Sequence, residues 1–170
     1  MRVAVTSPFF HLLPYLQEEL LSKYPDSKFK DTFDPLNKSD FIEFCKGYDA
    51  ALIGLDRIDD EVLTALPELK IIALCSAGAD HLDPVALKKR GVKMGWVAGI
   101  NKDAVAEMTI STMINILRNF HNLSERLHNG EWPKRRGGGS LLKGKVVGLH
   151  GCGNVGKEVV KRLQPFEVEI

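Results

Sequence analysis

The sequence has too few cysteines, and in the wrong arrangement, to cross-link itself. Only Cys45, Cys75 and Cys152 occur in 170 residues. The number is odd, there is no C-x-x-C pair, and nothing sets them at metal-ligand spacing with the five histidines. A disulfide framework and a structural metal site are therefore excluded, and free thiols point to a reducing compartment, the cytoplasm. An excess of one charge is missing too, because 23 Lys and Arg face 22 Asp and Glu for a net +1. That balance gives no reason to expect a nucleic-acid surface or an anionic membrane as partner. No apolar run approaches the ~18 residues of a membrane span, and the opening MRVAVTSPFF, with one Arg and a short apolar run, reads as a strand rather than a signal peptide. Internal repeats are absent, and the only low-complexity tract is Gly137 to Gly139. What remains is an ordinary globular composition, 44% apolar and 26% charged, sized for one medium domain or one and a half small ones.

Along the chain, short β-branched runs alternate with helical patterns. RVAVTS precedes HLLPYLQEELLSKY, KFKDTF precedes SDFIEFCKG, AALIGL precedes DDEVLTALP, LKIIALCS precedes DPVALKKRG, and VKMGWV closes the series. Five strands separated by four helices are thus expected. Asp83 followed by Pro84 is a helix N-cap and first-turn pair, and Gly91 stands where a left-handed C-terminal cap is needed. Alternation at this length means a parallel sheet covered on both faces, and right-handed crossovers make residues 1 to 100 a doubly wound α/β domain of flavodoxin-like strand order.

Beyond it, NKDAVAEMTISTMINILRNFHNLSERLHNG carries apolar residues at 106, 110, 113, 114, 117, 120 and 123, the spacing of one helix face. With Asn101 as its start cap and Gly130 at its end, this predicts a helix of about 28 residues, roughly 40 Å long, acting as an inter-domain strut. EWPKRRGGGSLLKG follows as a loop in which Lys134, Arg135 and Arg136 read as solvated, and KVVGLH reads as a strand.

The chemistry lies after that strand. Gly151, Gly153 and Gly156 spell G-x-G-x-x-G between a strand and a helix pattern, the context that identifies a dinucleotide turn. Gly151 permits the tight turn, Gly153 clears space for a pyrophosphate, and Gly156 lets the helix pack closely; the backbone N–H groups of Asn154 and Val155 face the phosphates. Cys152 reads as a small residue within the turn. The acidic residue that would hold a ribose is expected ~20 residues past the first glycine, just beyond Ile170, so NAD and NADP are not distinguished. Glu167 and Glu169 sit too early, at the start of the next strand.

CSAGADHLD at 75 to 83, NKDAVAEMTISTMINILR at 101 to 118, and GEWPKRRGGGSLLKGKVVGLHGCGNVGKEVVKRLQPF at 130 to 166 together resemble the D-isomer-specific 2-hydroxyacid dehydrogenases. The likeness covers nearly the whole chain from residue 70 onward, and it departs at Glu167, where the family usually has a helix-closing glycine. It implies a flavodoxin-like substrate domain, residues 1 to 100, followed by an inter-domain helix and an incomplete Rossmann NAD(P)-binding domain, residues 101 to 170. It also implies hydride transfer between a nicotinamide cofactor, NAD or NADP, and a small D-2-hydroxy acid or 2-oxo acid. With little sheet for the helix after the glycine turn to cover, its apolar residues Val155, Val159, Val160 and Leu163 are expected to lose most of their packing partners. Together with the apolar face of the strut helix, this leads to the expectation that residues 141 to 170 are mobile or rest on a second copy of the chain, in a homodimer. On this resemblance the backbone amides of Ala77 and Gly78 grip the substrate carboxylate, consistent with an anion-holding nest at a strand's C-terminal end. Asp80 and His81 organise that turn, and Glu107 serves helix packing. The family's catalytic Arg, Glu and His lie beyond the glycine turn, so no catalytic residue is assigned to this chain, which is expected to be an N-terminal fragment. Two alternatives stay open: a non-enzymatic, corepressor-like NAD(H)-binding module, and an inactive product of a split gene.

Overall fold

A computed structural model describes residues 1–132 and 139–170. The chain divides into two compact units, Met1–Ala98 and Gly99–Ile170.

In the first unit, the β-branched runs form β1 (Val3–Val5), β2 (Lys28–Phe29), β3 (Ala50–Ile53), β4 (Ile71–Leu74) and β5 (Lys93–Gly95). All pairs are parallel and the order is β2-β1-β3-β4-β5, the flavodoxin-like arrangement expected from the alternation. Side chains alternate across the sheet. Ala4, Ala51, Ile53 and Ile72 join a core with Phe41 and Cys45 of α3 (Lys38–Cys45), Val62 and Leu63 of α4 (Asp60–Ala65), and Ala86 and Leu87 of α5 (Pro84–Arg90). Val3, Val5 and Ala50 face the other way, against Phe10 of α1 (Phe9–Leu12) and Leu20 of α2 (Pro14–Lys23). Both faces are therefore covered, because β1, β3 and β4 each present apolar residues to both sides. Burial pushes the Cys45 thiol up to about 12, so it behaves as an apolar filler.

The helical run at 11 to 24 corrects the expectation of one helix. Pro14 cannot donate a backbone N–H, so α1 closes before it and α2 begins on it. At α5 the expected caps are both present: Asp83 accepts from the amides of Val85 and Ala86, and Gly91 adopts φ 68°. Asp83→Ala should cost about 1 kcal/mol of unfolding free energy, the usual worth of an N-cap. Chemical unfolding of the variant checks this.

In the second unit the expected 28-residue helix is two helices, α6 (Lys102–Leu117) and α7 (Phe120–His128). The reason is tertiary. The returning segment at Gly139 and Ser140 lies across the end of α6: the Ser140 amide donates to Leu117 O at 2.8 Å. A Cβ on Gly139 would come within 2.6 Å of Arg118 Cα. Asn119 takes φ 51° at the break, a left-handed conformation that asparagine tolerates. At the helix start, Asn101 makes no side-chain cap bond. The expected strand KVVGLH is likewise reduced. Only Val146 bridges Glu169, flanked by Val147 N to Glu169 O at 2.8 Å and Glu169 N to Lys145 O at 2.9 Å. Residues 148–150 have no backbone partner among the described residues, and a strand exists only by pairing.

The helix after the glycine turn, α8 (Asn154–Leu163), is not left bare for want of a sheet, contrary to the expectation that its apolar residues would lose their cover. It packs along α6, where Val159 and Leu163 are buried with Ala106, Ile110 and Leu142, and Val155, Val147 and Leu149 pack around them. A 3₁₀ turn, Gln164–Phe166, extends it to Glu167, which adopts φ 53° where a glycine would be unstrained.

Candidate functional site

In the first unit, CSAGAD forms the loop at the C-terminal end of β4, where open parallel sheets bind their ligands. Three of the loop's carbonyls, and that of His81 just after it, are occupied. Trp96 Nε1 donates to Ala77 O at 3.1 Å, Ser76 Oγ to Gly78 O at 2.8 Å, Leu82 N to Ala79 O at 3.1 Å, and Ile58 N to His81 O at 3.0 Å. The amides of Ala77 and Gly78 have no acceptor among the described residues. Carbonyls held by the protein and amides left over are what an anion-gripping loop requires. Gly78 also has a local reason to lack a side chain, since a Cβ there would lie 2.9 Å from Asp80 Oδ1.

Several polar groups beneath the sheet's C-terminal edge carried no sequence signal. Asp56 is buried: its Oδ2 accepts from Thr6 Oγ1, beyond the end of β1, and its Oδ1 from the Leu36 amide at 3.1 Å. A carboxylate in a sequence reads as surface until its partners are known. Cys75, at the start of the anion loop, is part-buried; burial pushes its thiol up and the neighbouring Ser7 hydroxyl opposes this. Trp96 as a clamp on Ala77 was equally unannounced, because the two meet only when β5 pairs with β4.

In the second unit the three glycines occupy three different environments. Gly151 has φ 97°, a conformation that side chains oppose. A Cβ on Gly153 would meet nothing within 4 Å, whereas one on Gly156 would lie 2.6 Å from the Gly151 carbonyl oxygen. One glycine turns the chain, one leaves open space, and one closes the helix onto the turn, as a dinucleotide site demands. Lys157 N is the first α8 amide to find a carbonyl, Gly153 O at 3.0 Å; the amides of Asn154 and Val155 have no acceptor among the described residues. Gly151, Cys152, Gly153 and Asn154 are exposed, while Val155 turns its side chain into the core between α6 and α8. These residues fit a pyrophosphate: donors, open space and the positive end of a helix coincide. Lys134, Arg135 and Arg136 lie outside the described residues. Glu167 pairs with Lys143 at 2.7 Å and Glu169 lies in the Val146 bridge, so neither is set to hold a ribose. Glu107 is on α6 with its carboxylate 4.0 Å from Arg162.

A doubly wound 2-1-3-4-5 sheet with a free-amide loop at β4, followed by a glycine turn opening a helix, defines an α/β protein with a flavodoxin-like unit and a Rossmann-type turn. The sequence model of the D-isomer specific 2-hydroxyacid dehydrogenase catalytic domain matches residues 3–164. The chain belongs to the D-isomer specific 2-hydroxyacid dehydrogenase family. Glyoxylate reductase of Thermofilum pendens is 36% identical over 141 residues, which is 80% of this chain and 42% of that protein. Mouse glyoxylate reductase/hydroxypyruvate reductase is 32% identical over 177 residues, 99% of this chain and 52% of the relative. The apo structure of D-lactate dehydrogenase from Escherichia coli matches with a TM-score of 0.75 at 28% identity, covering 99% of this chain and 53% of that one. The chain thus spans about half the length of the relatives it matches.

Proposed function

We propose that this chain supplies the substrate-carboxylate loop and the dinucleotide turn of an NAD(P)-dependent oxidoreductase that interconverts a small D-2-hydroxy acid and its 2-oxo acid. The observation that carries the reading is the set of glycine environments at 151, 153 and 156, which matches turn, open space and close packing one for one. Relatives named for glyoxylate and hydroxypyruvate reduction support a two- or three-carbon 2-oxo acid as the substrate class.

When bound, the nicotinamide cofactor supplies or accepts the hydride. The amides of Asn154 and Val155 hold the pyrophosphate, Gly153 admits it, and Gly151 and Gly156 keep the turn in register. The amides of Ala77 and Gly78 hold the substrate carboxylate, and Ser76 and Trp96 keep that loop in shape through its carbonyls. No catalytic acid or base is assigned within residues 1–170.

Residues 1 to 100 are read as the substrate domain and 101 to 170 as the linking helices with part of the cofactor domain. The protein is read as a homodimer, supported by apolar surface on α6 and α7, where Met108, Ile116 and Phe120 are 68%, 73% and 62% exposed. A cytoplasmic setting without nucleic-acid or membrane partners is supported by balanced charge and three free cysteines. Among the described residues, no helix is long and apolar enough to cross a membrane.

The test is direct. The full-length gene product should oxidise NADH or NADPH in the presence of glyoxylate, hydroxypyruvate or pyruvate, and the 170-residue polypeptide alone should show no measurable turnover. Family-like turnover by the isolated polypeptide would place the catalytic groups inside it. No turnover by the full-length product, combined with retained NADH binding, would favour a non-enzymatic NAD(H)-binding module.

A further inference from the structure

The residues that open the second unit run along one stripe of α8. Asn154, Glu158 and Arg162 are spaced four apart, so they lie on one helix face. Each meets the segment 99–103. Lys102 Nζ contacts Glu158 at 3.3 Å and Arg162 contacts Asp103 at 2.5 Å, while Arg162 also pairs with Glu158 along the helix. At the first turn the contact is steric rather than ionic: a Cβ on Gly99 would lie 2.7 Å from both Cβ and Nδ2 of Asn154 and 2.8 Å from its Cγ. Gly99 itself has φ +69°, and its carbonyl accepts from the Lys102 amide at 3.0 Å, so it is held in place from its other side by the start of α6.

We infer that Gly99 is a positioning residue for the cofactor, acting through Asn154. Asn154 is the first residue of α8, and its amide is one of the two read above as pyrophosphate donors. Its side chain rests on Gly99, which the ion pairs at 102–158 and 103–162 hold against the same helix face. Any side chain at 99 must push Asn154 away, and the displaced residue carries a phosphate donor with it. A donor that moves by a few tenths of an ångström loses hydrogen-bond geometry. The other two contacts of the stripe lie one and two turns further along and keep the helix from following, so the strain falls on the turn. Gly99 is 52 residues from the first glycine of the turn, and no spacing rule connects them.

This inference rests on the reading of the turn as a dinucleotide site, and the experiment separates the two. In the full-length gene product, Gly99→Ala should raise the Kd for NADH at least tenfold in calorimetric titration, and raise the Kd for ADP-ribose by the same factor, because both ligands carry the pyrophosphate. Gly144→Ala, which places alanine at a comparable φ of +72° but whose Cβ would meet nothing within 4 Å, should bind NADH within about threefold of wild type, so that backbone strain is told apart from the clash with Asn154. In the wild-type protein, ADP-ribose should slow amide hydrogen exchange at 99–103 together with 151–156, since a coupling between the two segments is reciprocal. The thermal midpoints of both variants guard against a general loss of folding. Should Gly99→Ala not fold, the exchange measurement decides alone. A Gly99→Ala protein that binds like wild type, a Gly144→Ala protein that binds as weakly as Gly99→Ala, or protection confined to 151–156 overturns the inference. If wild type binds neither NADH nor ADP-ribose, the dinucleotide reading itself fails, and the positioning role fails with it.

Discussion

Gly153→Val in the full-length gene product should leave the fold intact and weaken NADH binding by well over tenfold, which is ~1.4 kcal/mol or more. The two halves of that expectation have different origins. A Cβ at this position meets no atom within 4 Å, so the substitution adds no clash within the unit, and the φ of −79° is one that any residue adopts. The space is nevertheless where a pyrophosphate must approach the amides of Asn154 and Val155, and a β-branched side chain with restricted rotamers cannot vacate it. Calorimetric titration with NADH, alongside a thermal unfolding curve, reads both halves. Unchanged affinity in a folded variant would remove the dinucleotide assignment. Gly156 lies at the opposite extreme, because a Cβ there would lie 2.6 Å from the Gly151 carbonyl, so a substitution would disturb the packing itself.

Gly78→Pro should raise the substrate KM sharply, by more than tenfold, while Ser76→Ala should raise it only a few-fold. Proline deletes one of the two amides read as carboxylate donors and stiffens the turn around the other. Loss of a hydrogen bond to a charged group in a binding site is worth about 1.5–3 kcal/mol. Ser76 contributes differently: its hydroxyl holds the Gly78 carbonyl at 2.8 Å, so its removal loosens the loop and deletes no donor. Trp96 holds the adjacent Ala77 carbonyl and limits how far the loop can drift. Steady-state kinetics with glyoxylate, pyruvate and hydroxypyruvate distinguish these variants, and a proline variant that folds and keeps its KM for all three counts against the anion loop.

The amino-acid sequence alone determined the order of the five strands in the first 98 residues and the helical runs between them, apart from the break before Pro14, because burial on both sheet faces leaves a period that can be read locally: Val3 and Val5 on one side, Ala4 on the other. It also determined the caps of α5, since Asp83, Pro84 and Gly91 act on their own neighbours. The glycine turn was equally local, three residues within six positions of one another. Only the tertiary structure decided where the long apolar stripe from 106 to 123 breaks, because the wedge that ends α6 comes from Gly139 and Ser140, more than 20 residues away. It likewise decided that α8 is covered by α6, that Asp56 is buried against Thr6, that Trp96 holds Ala77, and that Gly99 lies under Asn154. Periodicity and capping are properties of consecutive residues, whereas a clash, a buried carboxylate or a clamp exists only once the chain has brought distant residues into contact.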